Sequence, residues 1–247
     1  MLYRSHRGGV YDTPENTMPA FLSALSLGYA SIETDPQITR DGVVVLMHDD
    51  TINRTCRHAD GSLIEKPIRI SETTYDELLS FDAGIAHGEQ FRGTHIPRLD
   101  ELLSAAEGRD VTVALDKKIP TERVDALIDV VLRHRARVSF STSDTGRIRK
   151  IQARMPDAMF DYDVNLSDAA LREVTTLVKP ENLMIWMYLD KPNFAWLAPI
   201  AKVNPENFRR VKQYGQVGIA NIRCTTDVMD ALSYAPDAIE LEYTENN

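Results

Sequence analysis

The spacing of apolar residues along the chain switches repeatedly between a period of two and a period near three and a half, the marks of strand and helix. Leu2 to His6 reads as a short strand that exits through His6-Arg7-Gly8-Gly9. Phe21, Leu22 and Leu25 then recur at helical spacing, with Asn16 or Thr17 as N-cap, Pro19 in the first turn and Gly28 as C-cap. Residues 31–50 read as an extended run, the turn Thr39-Arg40-Asp41-Gly42, and a β-branched run from Val43 to Val45. Residues 51–97 are largely polar and contain one predicted short helix, near Thr74 to Leu79.

Beyond Pro97 a helix leads into the strand Val111 to Leu115, and the alternation continues. Strands are predicted at Arg137–Ser141, Met159–Val164, Leu183–Leu189, Gln216–Ile222 and Ala238–Tyr243, and helices at 121–134, 144–154, 167–178, near 193–202, at 205–214 and at Thr226–Ser233. With the first arm of the hairpin this gives eight parallel-type strands. The expected fold is an α/β TIM (β/α)8 barrel, a single domain over 1–247 with an inserted segment at about 51–97 after the second-strand hairpin. An open doubly wound sheet competes, but no glycine-rich dinucleotide fingerprint follows the first strand.

Active sites of such barrels lie at the carboxyl ends of the strands, where His6, Glu33, Asp35 and Asp116 fall. Side chains two apart on a strand share a face, so Glu33 and Asp35 point the same way. A turn closed by Thr39 and Gly42 sets Glu33 opposite His48, and one closed by Arg40 and Val43 sets Asp35 there. A three-residue loop closed by Thr39 and Val43 would send His48 to the other face unless a bulge intervened. Two carboxylates and an imidazole on one face are costly to assemble unless organised, and a hard divalent cation is the simplest organiser. The competing reading is a surface hairpin with solvated charges.

Composition adds exclusions. Hydrophobic residues make up 43% and charged residues 26%, ordinary for a globular protein. A net charge of -9 disfavours nonspecific binding to nucleic acid or anionic membranes, while leaving room for a local cationic pocket that takes one phosphate. Cys56 and Cys224 match no metal-ligand spacing and read as free thiols. Without an apolar leader or a run long enough to span a bilayer, a cytoplasmic location with no stable membrane association is expected.

His6-Arg7-Gly8, Pro14-Glu15-Asn16-Thr17, Glu33-x-Asp35, Thr39-x-Asp41-Gly42 and His48-Asp49, in this order and spacing, resemble the glycerophosphodiester phosphodiesterase family. Arg54-Thr55, Asp82-Ala83-Gly84, Ile96-Pro97-x-Leu99-x-Glu101-Leu102-Leu103 and Asp116-x-Lys118 extend the likeness through about residue 118. The resemblance implies a TIM barrel that hydrolyses glycerophosphodiesters to glycerol 3-phosphate and an alcohol with one divalent cation, Mg²⁺ or Ca²⁺. It further implies that Glu33, Asp35 and Asp116 ligate the metal, that His6 and His48 are the catalytic histidines, and that Arg7 and Lys118 contact the phosphate. The family usually has Glu where Asp116 stands, so the ligand here is one methylene shorter.

The second half departs further from the pattern. The family's late Trp-Thr-Val-Asn has Ile219-Ala220-Asn221-Ile222 nearest in position, and its final Ile-Ile-Thr-Asp becomes Ile239-Glu240-Leu241-Glu242. Another small phosphodiester such as a sugar phosphodiester, a lysophospholipase D-like activity, and a catalytically silent phosphodiester-binding barrel are therefore the alternatives.

Four further expectations follow from the residues themselves. Glu15 and Asn16 orient Arg7 or a ligand, or merely cap the helix. Trp186 and Tyr188 form an aromatic wall or pack in the core. Arg4, which shares the inward parity of His6, pairs with Glu240 or Glu242 across the barrel's closing seam. His58, His87, His95 and His134 are solvated.

Overall fold

The structure, a computed structural model, describes residues 1–191, 195 and 197–242. Eight strands close into a barrel: β1 (Leu2–Ser5), β2 (Ser31–Thr34), β3 (Thr112–Leu115), β4 (Arg137–Thr142), β5 (Met159–Tyr162), β6 (Leu183–Tyr188), β7 (Gln216–Ile222) and β8 (Ala238–Leu241). All neighbours run parallel, and β8 closes against β1 through Arg4↔Glu240 and Ser5↔Leu241. Helices follow the strands, among them Met18–Ser26, Leu99–Ala106, Val124–Val131, Thr145–Gln152, Asp168–Leu177, Pro205–Lys212 and Thr225–Leu232. This is the TIM (β/α)8 barrel expected from the alternation of periods.

Two of the expected elements run into residues that the structure does not describe. Of the helix placed near 193–202, residues 193, 194 and 196 lie outside the described residues, and Pro199–Ala201 forms a short 3-10 turn. The last strand ends at Leu241, and Tyr243 lies outside the described residues.

Alternate positions on the strands divide the labour. Ile32, Val113, Leu115, Phe140, Phe160, Ile185, Val217 and Ile239 turn outward into one large apolar core beneath the helices. The opposite parity turns inward, and there the residues are Arg4, Ser31, Glu33, Ser139, Asp161, Trp186 and Glu240, a polar set where such barrels more often stack branched apolar side chains. A polar interior is tolerable only if its groups are matched with one another.

The hairpin after β2 stands apart from the barrel wall. Pro36–Ile38 pairs antiparallel with Val44–Leu46 in the register Pro36↔Leu46, Gln37↔Val45, Ile38↔Val44. The Thr39 amide donates to the Val43 carbonyl at 3.0 Å, so the loop has three residues, Arg40 to Gly42, and Gly42 takes a positive φ of 87°. Both shorter closures considered from the sequence are thereby corrected.

Residues 51–97 build a second, smaller core of their own. Ile52, Cys56, Ile64, Ile70, Leu78, Ala83 and Ile96 pack with Val45 and Met47 from the outer face of the hairpin. The predicted short helix is present at Tyr75–Leu78, with Thr74 and Glu77 forming a reciprocal capping box.

Candidate active site

At the carboxyl end of the barrel lies a cavity of about 380 Å³. His6, Arg7, Glu33, Asp35, His48 and Asp116 line it together. Six of the seven site residues picked out in the sequence thus share one space. The seventh, Lys118, lines an adjoining cavity and places Nζ 3.7 Å from Asp35 Oδ1.

Strand register explains most of this convergence. Thr34 is registered with Leu115, so the next residue on each strand, Asp35 and Asp116, leaves the barrel rim side by side. His6 follows the last residue of β1 in a 3-10 turn through Gly8. Arg7 adopts the left-handed conformation (φ 52°, ψ 28°), uncommon for a residue bearing a side chain. Its amide donates to Glu33 Oε2 at 3.0 Å, and Gly8 lets the chain press against the first helix: a Cβ there would lie 2.8 Å from Ala20 and Phe21 side-chain atoms.

His48 reaches the cavity by a route the ladder does not dictate. The Met47 amide donates to the Asp35 carbonyl at 2.9 Å, which is where pairing ends, and the chain then bends. Gln37 holds the bend by donating from Nε2 to the carbonyls of Met47 (2.8 Å) and Asp49 (2.6 Å). His48 Nδ1 lies 2.7 Å from Asp49 Oδ1.

Around these groups runs a chain of carboxylates and guanidinium groups. Arg54 donates to Asp49 at 2.6 Å and to both oxygens of Glu15 at 2.9 and 2.7 Å, while Arg7 Nη1 donates to Glu15 at 3.1 Å. Burial pushes Asp49 up, but the hydrogen bonds from Arg54 and His48 outweigh it and bring its carboxyl down to about 2. Asn16, itself at a positive φ of 54°, donates to Asp35 Oδ2 at 2.8 Å and accepts from the Thr34 hydroxyl at 2.7 Å. Glu15 and Asn16 therefore orient the site, and Thr17 is the N-cap residue of the first helix.

The acids on this side are under strain. Burial, and then repulsion from Asp35, Glu240 and Asp116, holds the Glu33 carboxyl well above the usual range. Burial and Asp116 raise Asp35 in the same sense, against the pull of Arg7. His6 is held well below its usual value by burial and then by the Arg7 charge, so it is a neutral imidazole at neutral pH.

The opposite wall carries acids of another kind. Arg4 lies 4.0 Å above the Trp186 ring and donates to Asp161 at 2.6 Å, while Trp186 Nε1 donates to the same oxygen at 2.7 Å. The Trp186 ring lies against Gly218, where a Cβ would come within 2.6 Å of it. Arg4 does approach Glu240, at 3.9 Å, as its parity predicted, but Asp161 is its closer partner. Lys117 pairs with Asp163, which also accepts from the Tyr188 hydroxyl at 3.0 Å, and Arg223 reaches Glu242 at 3.3 Å. Trp186 and Tyr188 both line the cavity, so they form an aromatic wall.

Sequence reasoning passed over Asp161 and Asp163. They alternate on a strand as Glu33 and Asp35 do, and the same rule of parity would have found them. Away from the cavity, His134 is mostly buried between Asp100 and Glu107, 3.1 Å from each, and His95 lies 3.0 Å from Glu101. These two histidines are hydrogen-bonded to acids at the ends of the Leu99–Ala106 helix, not merely solvated.

Among the described residues, no three His, Cys, Asp or Glu side chains converge as a ready-made metal cage. Asp35 turns to Asn16, Arg7 and Lys118. The donor set nonetheless suits a hard cation: Glu33, Asp35 and Asp116 offer only carboxylate oxygens to one cavity, and their mutual repulsion favours positive charge among them.

Residues 6–220 match the model of the glycerophosphoryl diester phosphodiesterase family. A glycerophosphodiester phosphodiesterase of Caldanaerobacter subterraneus is 38% identical over 114 residues, 46% of this chain and 44% of that protein. Glycerophosphodiester phosphodiesterase 1 of Mus musculus is 34% identical over 116 residues, 46% of this chain and 33% of that protein. The matched stretch spans less than half the length of either relative. Among solved structures, an Oleispira antarctica phosphodiesterase in complex with the product sn-glycerol-3-phosphate shares the fold, with a TM-score of 0.80 at 20% identity over 99% of this chain and 94% of that one. A glycerophosphoryl diester phosphodiesterase from Parabacteroides distasonis superposes with a TM-score of 0.76 at 25% identity, over 98% and 83%.

Proposed function

The chain belongs to the glycerophosphoryl diester phosphodiesterase family, and from that membership we propose that it hydrolyses glycerophosphodiesters to glycerol 3-phosphate and an alcohol. The carrying observation is that His6 and His48 line one cavity with Arg7 and three carboxylates.

In this reading Arg7, whose guanidinium is braced by Glu15, and Lys118 draw the phosphodiester anion into a pocket that is otherwise acidic. Neutral His6 takes the proton of the attacking 2-hydroxyl of the glycerol while His48, with Asp49 fixing its ring, protonates the departing alcohol oxygen; water then opens the resulting cyclic phosphate, with the two histidines exchanging roles, to give glycerol 3-phosphate. Glu33, Asp35 and Asp116 would hold one Mg²⁺ or Ca²⁺, which supplies charge stabilisation at the phosphoryl oxygens when bound. Asn16 positions Asp35 for that task.

The test is product analysis: the purified protein, given Mg²⁺ or Ca²⁺, is incubated with glycerophosphocholine. Release of glycerol 3-phosphate with choline supports the reading. Release of phosphocholine, or no turnover of any glycerophosphodiester, refutes it.

A further inference from the structure

A second cavity, of about 240 Å³, adjoins the catalytic one. Buried Ile38 and Ile119 give it an apolar floor, Gln37, Ser71 and exposed Pro120 complete its wall, and Arg69, Lys118 and Arg123 line it against a single acid, Asp50. Lys118 links the two spaces, since it lines this cavity and stands 3.7 Å from Asp35, which lines the other.

The charges on this rim are poorly spent on the protein itself. Among the described residues Arg123 has no ion-pair partner, and Arg69 has only exposed Glu72 at 4.0 Å. On a chain of net charge -9, with acids crowding the main cavity, three cations around one small recess form a local reversal of field. A phosphodiester has two arms. Lys118, 3.7 Å from Asp35 of the catalytic cavity and itself lining the recess, is the side chain through which an arm leaving the first space would meet the second.

We propose that the recess is the subsite for an anionic leaving group, an alcohol that carries its own phosphate or carboxylate, read by Arg69 and Arg123. The proposal rests on the phosphodiesterase reading and names its substrate class. The apolar floor takes the carbon skeleton, and the two guanidinium groups take the second anion, bidentate where geometry allows.

The test compares glycerophosphoinositol with glycerophosphoinositol 4-phosphate, which differ by one phosphate on the leaving alcohol. The wild type is expected to favour the phosphorylated diester by about tenfold in kcat/KM, an effect on the scale of two exposed ion pairs. The double variant Arg69→Gln with Arg123→Gln is expected to lose that preference, its kcat/KM falling far more on the phosphorylated diester than on glycerophosphoinositol, and the double Lys variant to recover part of it. A second readout needs no turnover: calorimetric binding of inositol 1,4-bisphosphate, expected to weaken about tenfold in the Gln variant. Equal preference for both diesters in wild type and variant, or equal bisphosphate binding in both proteins, overturns the subsite. Preserved bisphosphate binding by the wild type with no diester turnover would instead remove the phosphodiesterase reading and leave the anion site standing.

Discussion

The two sides of the barrel mouth hold similar numbers of acids in different states. On the side of β5 to β8, Asp161 is matched by Arg4, Asp163 by Lys117 and Glu242 by Arg223, while Glu240, 3.9 Å from Arg4, is pushed up to about 7 chiefly by burial. On the side of β1 to β3, Glu33, Asp35 and Asp116 face one another and repel, and His6 is kept neutral. Acids held in ion pairs lend shape, whereas acids crowded against one another, even with Arg7 and Lys118 beside Asp35, hold a demand that substrate and cation meet in the proposed reading. In the proposed reading the contrast separates a structural polar interior from a working one within a single cavity.

The contrast predicts that substitutions on the two sides fail in different assays. The largest effect belongs to the histidines: His6→Ala and His48→Ala should each lower kcat by about 10²- to 10⁴-fold with melting temperature little changed. A wild-type rate in either variant would remove it from the chemistry. On the matched side, Asp161→Ala strands the buried Arg4 guanidinium and should cost about 3–5 kcal/mol in urea unfolding. A small change there would show that Arg4 finds relief elsewhere.

Asn16→Ala sharpens the comparison at intermediate size. It removes the donor that holds Asp35, so divalent-cation affinity or activity should fall 10- to 100-fold while stability drops modestly. The smallest effect is on pH. The folded Asp49 carboxyl, at about 2, lies below its ordinary 3.8, so its contribution to stability is present above about pH 4 and fades as pH falls toward 2. Arg54→Ala should flatten that part of an acid-unfolding curve, and an unchanged slope would deny Arg54 the role.

Local sequence carried the working side well, because its parts are close in the chain or in adjacent strands. Glu33 and Asp35 share a strand face, and β2 and β3 are registered neighbours that deliver Asp35 and Asp116 together. The matched side was harder to read. Arg4 and Asp161 are 157 positions apart on β1 and β5, which lie opposite in the strand order, so no pairing rule joins them; a long side chain simply spans the interior. The Arg4 to Glu240 approach was legible because closure makes those strands neighbours.

The hairpin shows a different limit. Thr39-Arg40-Asp41-Gly42 suits two- and three-residue loops alike, and the choice is made by the small core of residues 51–97, which takes Val45 and Met47 on the outer face. His48 then reaches the cavity because the ladder stops at Met47, a fact of tertiary packing and not of turn chemistry.

The most direct test of the contrast is calorimetric titration of Mg²⁺ and Ca²⁺ into the wild type, Asp35→Asn and Glu242→Gln. One divalent site is expected in the wild type, lost in Asp35→Asn and kept in Glu242→Gln. Equal binding to wild type and Asp35→Asn, or loss only in Glu242→Gln, would contradict it by placing the cation on the wrong side of the barrel.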